Sequence, residues 1–399
     1  MSTQETVELQ DHFLDLHIHI GRTRDNRPVK ITAGKDLTFF EIIREAGERK
    51  GIGIIGIIDA VSPPVLDEIE DFVREGVMTE RPGGGYDYQG KTTLLLGAEV
   101  ETSGPEGGAA HFGVWMRDIR TMREFSDWLG ERVTNRVLSS QRARCTSFEL
   151  QAKCTELGGM FIINHAFTPH KSVLGNCVSR VSDMVQLDQL TALELGLSSD
   201  SDLADLFSEL ANVTFVSNSD AHSLPKIGRE YNRVRVAAPS FDEVKKALLR
   251  QDGRGVVANY GLEPELGKYH RTFCTKCDTI LTAEAMASDQ CPACGSRKIV
   301  RGVLDRILTI ADREEPVHPA FRPPYHYQIP LEFIPKVGKR TIDKLLDHFS
   351  TEMNVLHVAT EEQIADVVGA KIAHDIVRAR AGLLPISVGG GGTYGKILL

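Results

Sequence analysis

The sequence FLDLHIH at residues 13–19 predicts a short buried strand that ends in two histidines. Side chains at positions i and i+2 of a strand point to the same face, so His17 and His19 present two imidazoles side by side. A loop begins just after them, at Gly21. Paired imidazoles at a strand end beside a loop suit a metal site. The HxH pattern alone leaves open the alternative that one histidine packs in the core and the other is exposed.

The first 250 residues alternate short apolar runs with amphipathic stretches. The apolar runs, which predict strands, lie at residues 53–58, 93–98, 111–116, 160–163, 192–195, 213–216 and 234–238. The amphipathic stretches, which predict helices, lie at residues 39–50, 64–75, 122–137, 148–157, 200–210 and 241–250. Strands that alternate with helices indicate a parallel α/β architecture. So many units are too many for a small sheet and predict a barrel, whose chemistry lies at the C-terminal strand ends.

Residues that can bind metal recur at these predicted strand ends. They are His17, His19, Asp59, Glu99, His111, His165, Glu194, Asp220 and His222. A single strand-end aspartate is often a helix N-cap, and a single strand histidine is more often a core residue. Their recurrence at one end of successive strands indicates a multinuclear metal site. Mixed imidazole and carboxylate ligands favour Zn, Mn or Fe over Ca or Mg, and clustered ions are typical of phosphoryl-transfer hydrolysis.

The series HxH, GxE (residues 97–99), a single His and SDAH (residues 219–222) resembles the PHP (polymerase and histidinol phosphatase) superfamily over residues 12–250. The resemblance implies an α/β fold with a distorted (βα)7 barrel, a metal site of two or three ions and phosphoesterase activity. The implied metal ligands are His17, His19, Glu99, His111, His165, Asp220 and His222. Two positions depart from the family pattern. Ala60 follows Asp59 where the family has a histidine, and Asp25 occupies a possible ligand position inside a basic loop.

Two CxxC pairs follow the predicted barrel. Thirteen residues separate the pair Cys274 and Cys277 from the pair Cys291 and Cys294. Each CxxC turn places two thiolates on one ion, and two turns complete a tetrahedral site with no open position. The spacing therefore predicts a structural zinc ion rather than a catalytic one. The cysteines at positions 145, 154 and 177 show no pairing pattern.

The C-terminal part contains two glycine turns beside basic residues. Each turn precedes a predicted helix, and backbone N–H groups at a helix N-terminus form a phosphate site. The two units resemble tandem helix-hairpin-helix modules, which would bind DNA backbones without reading sequence. An ordinary bundle of helical hairpins is the alternative. The candidate DNA-binding residues are Lys336, Gly338, Lys339, Arg340, Gly369 and Lys371.

The loop after the HxH stretch is a second basic region. Its cationic residues are Arg22, Arg24, Arg27, Lys30 and Lys35. Arginine is suited to bidentate phosphate contacts, so Arg22 and Arg24 are candidate DNA-binding residues, with a solvated loop as the alternative. Lys171 is a further candidate, because it follows the strand of His165 together with Phe167 and His170, where a substrate base could stack.

Composition and charge suit a cytoplasmic protein. The 399 residues are 41% hydrophobic and 25% charged, which is ordinary for a globular chain. No apolar run is long enough for a membrane span, and residues 1–11 lack the apolar core of a signal peptide. The net charge of −9 argues weakly against nucleic acid as a partner. That charge is uneven, because residues 1–263 carry 29 Lys and Arg against 39 Asp and Glu, whereas residues 264–399 carry 17 against 16.

These patterns divide the chain into successive parts. We predict a metal-dependent catalytic barrel at residues 1–260, a four-cysteine zinc-binding domain at 261–311, an extended linker at 312–330, a tandem helix-hairpin-helix region at 331–385 and a flexible tail at 386–399. This order of parts resembles the endonuclease Q family of DNA-repair nucleases. The resemblance implies hydrolysis of the phosphodiester 5′ to a deaminated base (uracil, hypoxanthine or xanthine) or to an abasic site.

The same resemblance implies a reaction centre and partners. Asp220 and Glu99 would hold two or three divalent ions (zinc, manganese or magnesium), and Asp59 or Glu194 would be a bridging ligand or a proton acceptor. The substrate would be damaged double-stranded DNA, with single-stranded DNA as a further substrate, and the enzyme would act at the nucleoid as a monomer. Two alternatives are a phosphomonoesterase of the histidinol-phosphatase type and a non-catalytic DNA-binding scaffold. The predicted DNA-binding half argues against the first, and the nearly complete ligand set argues against the second.

Overall fold

The computed structural model describes residues 8–281 and 290–398. Its strands are β1 (Gln10–Ile18), β2 (Ile54–Ile57), β3 (Thr79–Glu80), β4 (Tyr86–Tyr88), β5 (Thr92–Ser103), β6 (Ala109–Met116), β7 (Met160–Ile163), β8 (Ala192–Glu194), β9 (Phe215–Val216), β10 (Tyr231–Val236), β11 (Gly255–Gly261), β12 (Phe273–Cys274), β13 (Ile299–Val300), β14 (Tyr325–Tyr327), β15 (Ile386–Ser387) and β16 (Lys396–Ile397). Its α-helices are α1 (Phe39–Arg44), α2 (Pro63–Arg74), α3 (Ile119–Gly130), α4 (Ser147–Glu156), α5 (Ser201–Ala204), α6 (Phe241–Leu248), α7 (Val303–Ile310), α8 (Lys339–Phe349), α9 (Glu352–His357), α10 (Glu361–Val368) and α11 (Ala370–Arg380). Among the described helices, none combines the length and the apolar character needed to cross a membrane.

One large sheet organises the chain, with the strand order β14-β11-β10-β1-β2-β5-β6-β7-β8-β9. Strands β1, β2 and β5 are parallel, as are β7, β8 and β9. The predicted parallel arrangement has exceptions at β10, which is antiparallel to both β1 and β11, and at β6, which is antiparallel to both β5 and β7. The short connection from β5 to β6 explains the exception at β6, because a parallel pair needs a crossover of a dozen residues or more.

The sheet curls, and the chain after β9 returns to β1. Asn232 and Asn259 donate side-chain hydrogen bonds to backbone carbonyls beside β9. Ala221 then exchanges two backbone hydrogen bonds with the first strand, donating to His17 O at 3.0 Å and accepting from His19 N at 3.1 Å. The segment that follows β9 therefore lies directly beside the two histidines of β1.

Most predicted helices are present, with one clear exception at residues 200–210. There the chain forms only the single turn of α5 and a separate turn at Ser208–Leu210. Asp205, which lies between them, is fully buried and accepts hydrogen bonds from the Arg322 guanidinium and from His318. These contacts draw the predicted linker onto the barrel and interrupt the helix.

The C-terminal half is attached to the barrel at several points. Strand β14 lies within the predicted linker at residues 312–330 and pairs in parallel with β11. Helix α9 contributes Glu352, whose carboxylate forms a buried ion pair of 2.9 Å with Lys50. The tail, predicted to be flexible, forms a hairpin of β15 and β16 that hydrogen-bonds to the backbone of residues 265–268.

Candidate active site

Three overlapping groups of imidazoles and carboxylates lie at one end of the curled sheet. They are His17, His19 and Glu99; His19, Asp220 and His222; and Glu99, His111 and His165. Within each group, the candidate ligand atoms lie within 4.8 Å of one another. The structure therefore brings together all seven residues that the sequence nominates as catalytic metal ligands.

Glu99 and Asp220 are the carboxylates of these groups, and Glu99 belongs to two of them. Glu99 Oε1 lies 2.9 Å from His111 Nδ1, 3.4 Å from His17 Nε2 and 3.5 Å from His165 Nε2. Asp220 Oδ1 lies 3.5 Å from the Nε2 atoms of both His17 and His19. Because these atoms are all close to one another, the cluster has the shape of a site for more than one cation.

Two further carboxylates contact the outer nitrogens of the first histidine pair. His17 Nδ1 lies 2.9 Å from Glu194 Oε2, and His19 Nδ1 lies 3.0 Å from Asp59 Oδ2. A carboxylate that accepts the Nδ1 proton fixes the ring orientation and leaves the Nε2 lone pair available to a metal. Asp59 therefore lies behind His19, whereas Glu194 contacts His17 and also lines the cavity over the cluster.

Buried Asp15 holds the two ligand-bearing segments in register. Its carboxylate accepts backbone hydrogen bonds from His17, Ser219 and Gly228. Asp220, next to Ser219, has a positive φ of 45°, a conformation that L residues adopt only when local contacts compensate for it. The network around Asp15 supplies those contacts, and the sequence pattern offered no signal for this role beyond a polar residue inside an apolar strand.

Two residues outside the predicted set contact Glu99. Lys30 Nζ lies 2.9 Å from Glu99 Oε2 and also donates to Ser140, whose hydroxyl donates to the same carboxylate oxygen. Lys30 belongs to the basic loop for which the sequence predicts phosphate contacts. Its ammonium group instead lies beside Glu99, a candidate metal ligand. Ser140 comes from the connection between α3 and α4, which has no periodic signal in the sequence.

The charges of the cluster fit divalent cations. Burial raises the pKa of Glu99, but the nearby charges of His111 and Lys30 hold it well below its ordinary value. Burial and the neighbouring His19 lower the pKa of His222 to about 4. Burial lowers the pKa of His17, but the surrounding carboxylates raise it well above its ordinary value, so a bound cation would displace a proton from this imidazole. His111 Nδ1 is buried, and its contact with Glu99 Oε1 at 2.9 Å places two candidate ligand atoms side by side.

A cavity of about 690 Å³ lies over the cluster and is lined by six of the seven ligands, all except His17. Five cationic and two aromatic side chains are part of its remaining wall, among polar and apolar ones. The cationic and aromatic residues are Lys30, Lys171, Lys226, Arg229, Lys268, Tyr269 and Tyr394. The volume is within the usual range for a small-molecule pocket, so one nucleotide fits in it. The cavity thus combines a site for cations with a wall suited to phosphate and to an aromatic base.

Comparison with known proteins assigns the family. No protein-family model matches the chain. The uncharacterised protein YqxK of Bacillus subtilis is 48% identical over 387 residues, covering 96% of this chain and 98% of YqxK. The structure resembles the crystal structure of a lesion-specific endonuclease, PfuEndoQ from Pyrococcus furiosus, with a TM-score of 0.84 and 32% identity over 98% of this chain and 96% of the other. The chain belongs to the endonuclease Q family. A second endonuclease Q structure, in complex with a 27-mer duplex that has an abasic lesion at its active site, gives a TM-score of 0.85 and 31% identity over 98% and 97%.

Another relative matches only part of this chain. The uncharacterised protein MJ0043 of Methanocaldococcus jannaschii is 37% identical over 260 residues, which are 59% of this chain and 31% of MJ0043. Family membership confirms the predicted α/β fold and the prediction that the protein is a hydrolase of the nuclease class.

The four cysteines of this endonuclease Q family member form a compact group. The Sγ atoms of Cys274 and Cys294 are 3.6 Å apart, as are those of Cys277 and Cys291. The short pairing of β12 with β13 brings the two CxxC turns together. Four thiolates at this separation leave no open position, as a structural zinc site requires.

The predicted DNA-binding residues lie in different surroundings. Lys171 lines the cavity, and its Nζ lies 3.1 Å from Glu101 Oε2. Arg22 hydrogen-bonds to Asn26, and Arg24 pairs with Asp71. The described cavity wall includes neither arginine.

Neither a predicted stacking residue nor a possible further metal ligand lies at the cluster. Phe167, a candidate for base stacking, is 2% exposed and packs against Phe207, so it does not reach the cavity. Asp25 is exposed and belongs to none of the ligand groups found in the described residues.

The two predicted glycine turns precede helices of the C-terminal region. Gly338 is the N-cap of α8, and Gly369 joins α10 to α11. The adjacent cationic residues Lys336, Lys339, Arg340 and Lys371 are all exposed. Before the first turn there is only a single 3-10 turn, Leu331–Phe333, where the pattern predicted a helix. Glu332 in that turn pairs with Lys226 of the cavity wall at 2.7 Å, which connects the region to the edge of the cavity.

Proposed function

We propose that this protein is a metal-dependent DNA-repair endonuclease that hydrolyses the phosphodiester on the 5′ side of a deaminated base or an abasic site. The observation that carries the proposal is the group of seven imidazole and carboxylate ligands beneath a cationic cavity of about 690 Å³. The likeness to a lesion-specific endonuclease, and to an endonuclease Q bound to an abasic duplex, supports this substrate class. Uracil, hypoxanthine and xanthine are the proposed deaminated bases.

The proposed ligands of the catalytic ions are His17, His19, Glu99, His111, His165, Asp220 and His222. Imidazole and carboxylate donors in this ratio suit zinc or manganese, with magnesium as a weaker alternative. Bound divalent ions would activate water and neutralise the charge that develops on the phosphodiester. The four cysteines would hold a separate structural zinc ion.

The chain itself supplies the orientation and the local charge. Glu194 and Asp59 would accept the Nδ1 protons of His17 and His19, so that the Nε2 atoms point toward the other candidate ligands. We assign both carboxylates a positioning role, in place of a bridging or proton-accepting one. Lys30 donates to Glu99 and adds a fixed positive charge next to the reacting phosphate.

The damaged nucleotide must leave the base stack to reach this cluster, because buried ligands cannot approach a phosphate within a continuous duplex. The cationic wall, which includes Lys171 and Lys268, would bind the backbone of the extruded nucleotide. The turns at Gly338 and Gly369 would bind the duplex backbone through exposed N–H groups, as tandem helix-hairpin-helix modules do. Arg22 and Arg24 remain proposed outer contacts to the same duplex.

The domain boundaries predicted from the sequence are proposed for this function as well. Residues 1–260 would be the catalytic PHP barrel, 261–311 the zinc-binding domain, 312–330 the linker and 331–385 the DNA-binding region. A single lesion in a duplex needs one active site, so we propose that a monomer acts on DNA at the nucleoid in the cytoplasm.

The test is cleavage of an end-labelled duplex that carries one uracil, one hypoxanthine or one abasic site, with Mn²⁺, Mg²⁺ or Zn²⁺ added to metal-free protein. We expect one nick immediately 5′ of the lesion, with a 3′-hydroxyl and a 5′-phosphate at the break. Asp220→Asn should reduce cleavage to background. It removes the charge of a proposed ligand that lies near both His17 and His19, while it keeps the size of the side chain. Asp242→Asn, at an exposed surface position paired with Arg117, is the matched control and should cut like the parent protein.

Two results would overturn the proposal. Hydrolysis of p-nitrophenyl phosphate without cutting of any lesion duplex would favour a phosphomonoesterase. Binding of lesion duplexes without cutting, with every divalent ion tested, would favour a DNA-binding scaffold. Cleavage of undamaged duplex at the same rate would contradict the assignment of lesion specificity.

A further inference from the structure

The C-terminal tail lies against the cavity that contains the metal ligands. Backbone N–H groups of Gly389, Gly392 and Gly395 donate to carbonyl oxygens in the segment at residues 265–268. Lys268 of that segment and the next residue, Tyr269, are both part of the cavity wall. The tail is therefore joined to the wall of the cavity by backbone hydrogen bonds.

Glycine is required at two of these tail positions by close approach. A Cβ atom at Gly389 would lie 2.7 Å from the carbonyl oxygen of Gly267, and one at Gly395 would lie 2.2 Å from Ser387 O. Such distances exclude any side chain. The glycine-rich composition that suggests flexibility in the sequence thus has a packing function in the fold.

The docked tail places one aromatic ring in the cavity wall. Tyr394 lines the cavity, and its hydroxyl accepts a hydrogen bond from Arg229 Nη1 at 3.5 Å. Arg229 also donates through Nε to Ser219 O and through Nη2 to Asp220 O. The same guanidinium therefore connects the tail to the backbone of a proposed metal ligand.

The surroundings of the ring suit an aromatic ligand. Lys268 Nζ lies 5.8 Å from the centroid of the Tyr394 ring, and 4.9 Å from that of Tyr269. Tyr394 is partly exposed, so one part of its surface remains available to solvent in the cavity. Aromatic side chains next to cations are typical stacking sites for unpaired bases.

We propose that Tyr394 of the tail stacks on the extruded base of a deaminated nucleotide and thereby sets the preference for lesions that retain a base. This inference rests on the proposed function and deepens it by naming a specificity residue. An abasic nucleotide has no base to stack, so Tyr394 favours uracil or hypoxanthine sites over abasic sites. The tail is thus a part of the substrate pocket.

The test compares two substrates in the full-length protein. Single-turnover cleavage is measured on duplexes that are identical except for one uracil or one abasic site. Stacking of one base contributes a factor of about 5 to 150 in binding, so Tyr394→Ala should lower the uracil-to-abasic ratio of cleavage rates by about that factor. Tyr394→Phe, which keeps the ring, should preserve the ratio. Val388→Ala is the matched control, because this exposed tail residue is not part of the described cavity wall.

Binding provides a second measurement that does not depend on catalysis. Fluorescence anisotropy with the Asp220→Asn protein should give the same loss of uracil-to-abasic preference when Tyr394→Ala is added. An unchanged ratio in both measurements, or an equal loss on both substrates, would overturn the inference. A parent protein that cuts neither substrate would instead overturn the proposed function, so the two failures are distinct.

Discussion

Replacing Glu194 with glutamine should weaken binding of the catalytic ions about 10- to 100-fold, the usual effect of losing a carboxylate that orients a metal-binding histidine. Both carboxylate oxygens of Glu194 are occupied. Oε2 accepts from His17 Nδ1 at 2.9 Å and from Asn218 Nδ2 at 2.9 Å, while Oε1 accepts from the backbone N–H of His165 at 3.2 Å. The side chain thereby joins segments from three strand ends that each carry or adjoin a ligand.

The size of the expected loss in metal affinity follows from the number of hydrogen-bond donors around Glu194. Glutamine offers one acceptor oxygen and one NH₂ group, so at least one of the donors around position 194 would face another donor. A buried donor without an acceptor costs about 1–3 kcal/mol. A tenfold change in affinity corresponds to about 1.4 kcal/mol. If the unpaired donor displaces the ring of His17, the cost therefore lowers metal affinity by a factor of about 5 to 150.

The assay is calorimetric titration of metal-free protein with Mn²⁺ or Zn²⁺, together with cleavage rates over a range of metal concentrations. We expect Glu194→Gln to bind the ions more weakly and to recover its rate at high metal concentration. Glu209→Gln is the matched control, because Glu209 accepts backbone hydrogen bonds from Val181 and Ser182 away from the cluster. Normal metal affinity with a low rate that added metal does not restore would refute the positioning role and favour a direct part for Glu194 in proton transfer.

Three further predictions concern stability. Cys277→Ser should remove one zinc ion per chain and lower the melting temperature, since the thiolates of a structural site bind the ion that stabilises the fold; metal analysis and calorimetry test this, and unchanged zinc content would contradict it. Lys50→Met should lower the free energy of unfolding by about 3–5 kcal/mol, because it leaves Glu352 buried and unpaired. The double variant with Lys50→Met and Glu352→Leu should recover much of this loss in denaturant titrations. An additive loss in the double variant would argue against a stabilising pair. Burial raises the pKa of Glu230 from 4.5 to about 8, so the folded state retains a proton that the unfolded state releases, and stability falls as the pH rises from about 4.5 to about 8. Glu230→Gln should therefore raise the melting temperature relative to the parent protein at pH 9 but not at pH 5, and an equal shift at both pH values would contradict this.

The sequence predicts the grouping of these side chains because most of them lie at or just beyond the C-terminal end of a strand, although Glu99 lies inside β5 and His111 near the start of β6. The C-terminal ends of parallel strands lie together at one end of a sheet, and this does not depend on the conformation of the loops. His17 and His19 therefore meet Asp220 and His222 although about two hundred positions separate them in the chain. The apolar pattern predicted β7 at its full length for the same reason, since its four residues are all buried.

Buried polar residues limit what the apolar pattern can predict. The predicted strand at residues 93–98 ends where the apolar residues end, whereas β5 continues to Ser103 through the buried carboxylates of Glu99 and Glu101. Partners from distant segments make that burial possible, because Arg142 and Lys171 both pair with Glu101. Charge compensation of this kind has no periodicity, so the sequence gives no local sign of it.

Loops and the tail were the least predictable parts for a related reason. Lys30 and Ser140 contact Glu99 from two different connections, and the register of a connection depends on tertiary contacts. In the tail, glycine permits both disorder and very close packing, and composition does not distinguish the two. Gly389 and Gly395 pack closely because the segment at residues 265–268 lies next to them in the fold, and this neighbour is not visible in the local sequence.

Strand β14 has a consequence for any attempt to isolate the catalytic barrel. It covers the outer edge of β11 along residues 259–261, although it lies far along the chain, beyond the four cysteines. A protein shortened before residue 325 would keep every proposed catalytic ligand but would leave the N–H and C=O groups of β11 open to pairing with other chains. Unprotected edge strands of this kind promote aggregation. The isolated barrel should therefore self-associate during expression, and adding residues back through β14 should restore its solubility.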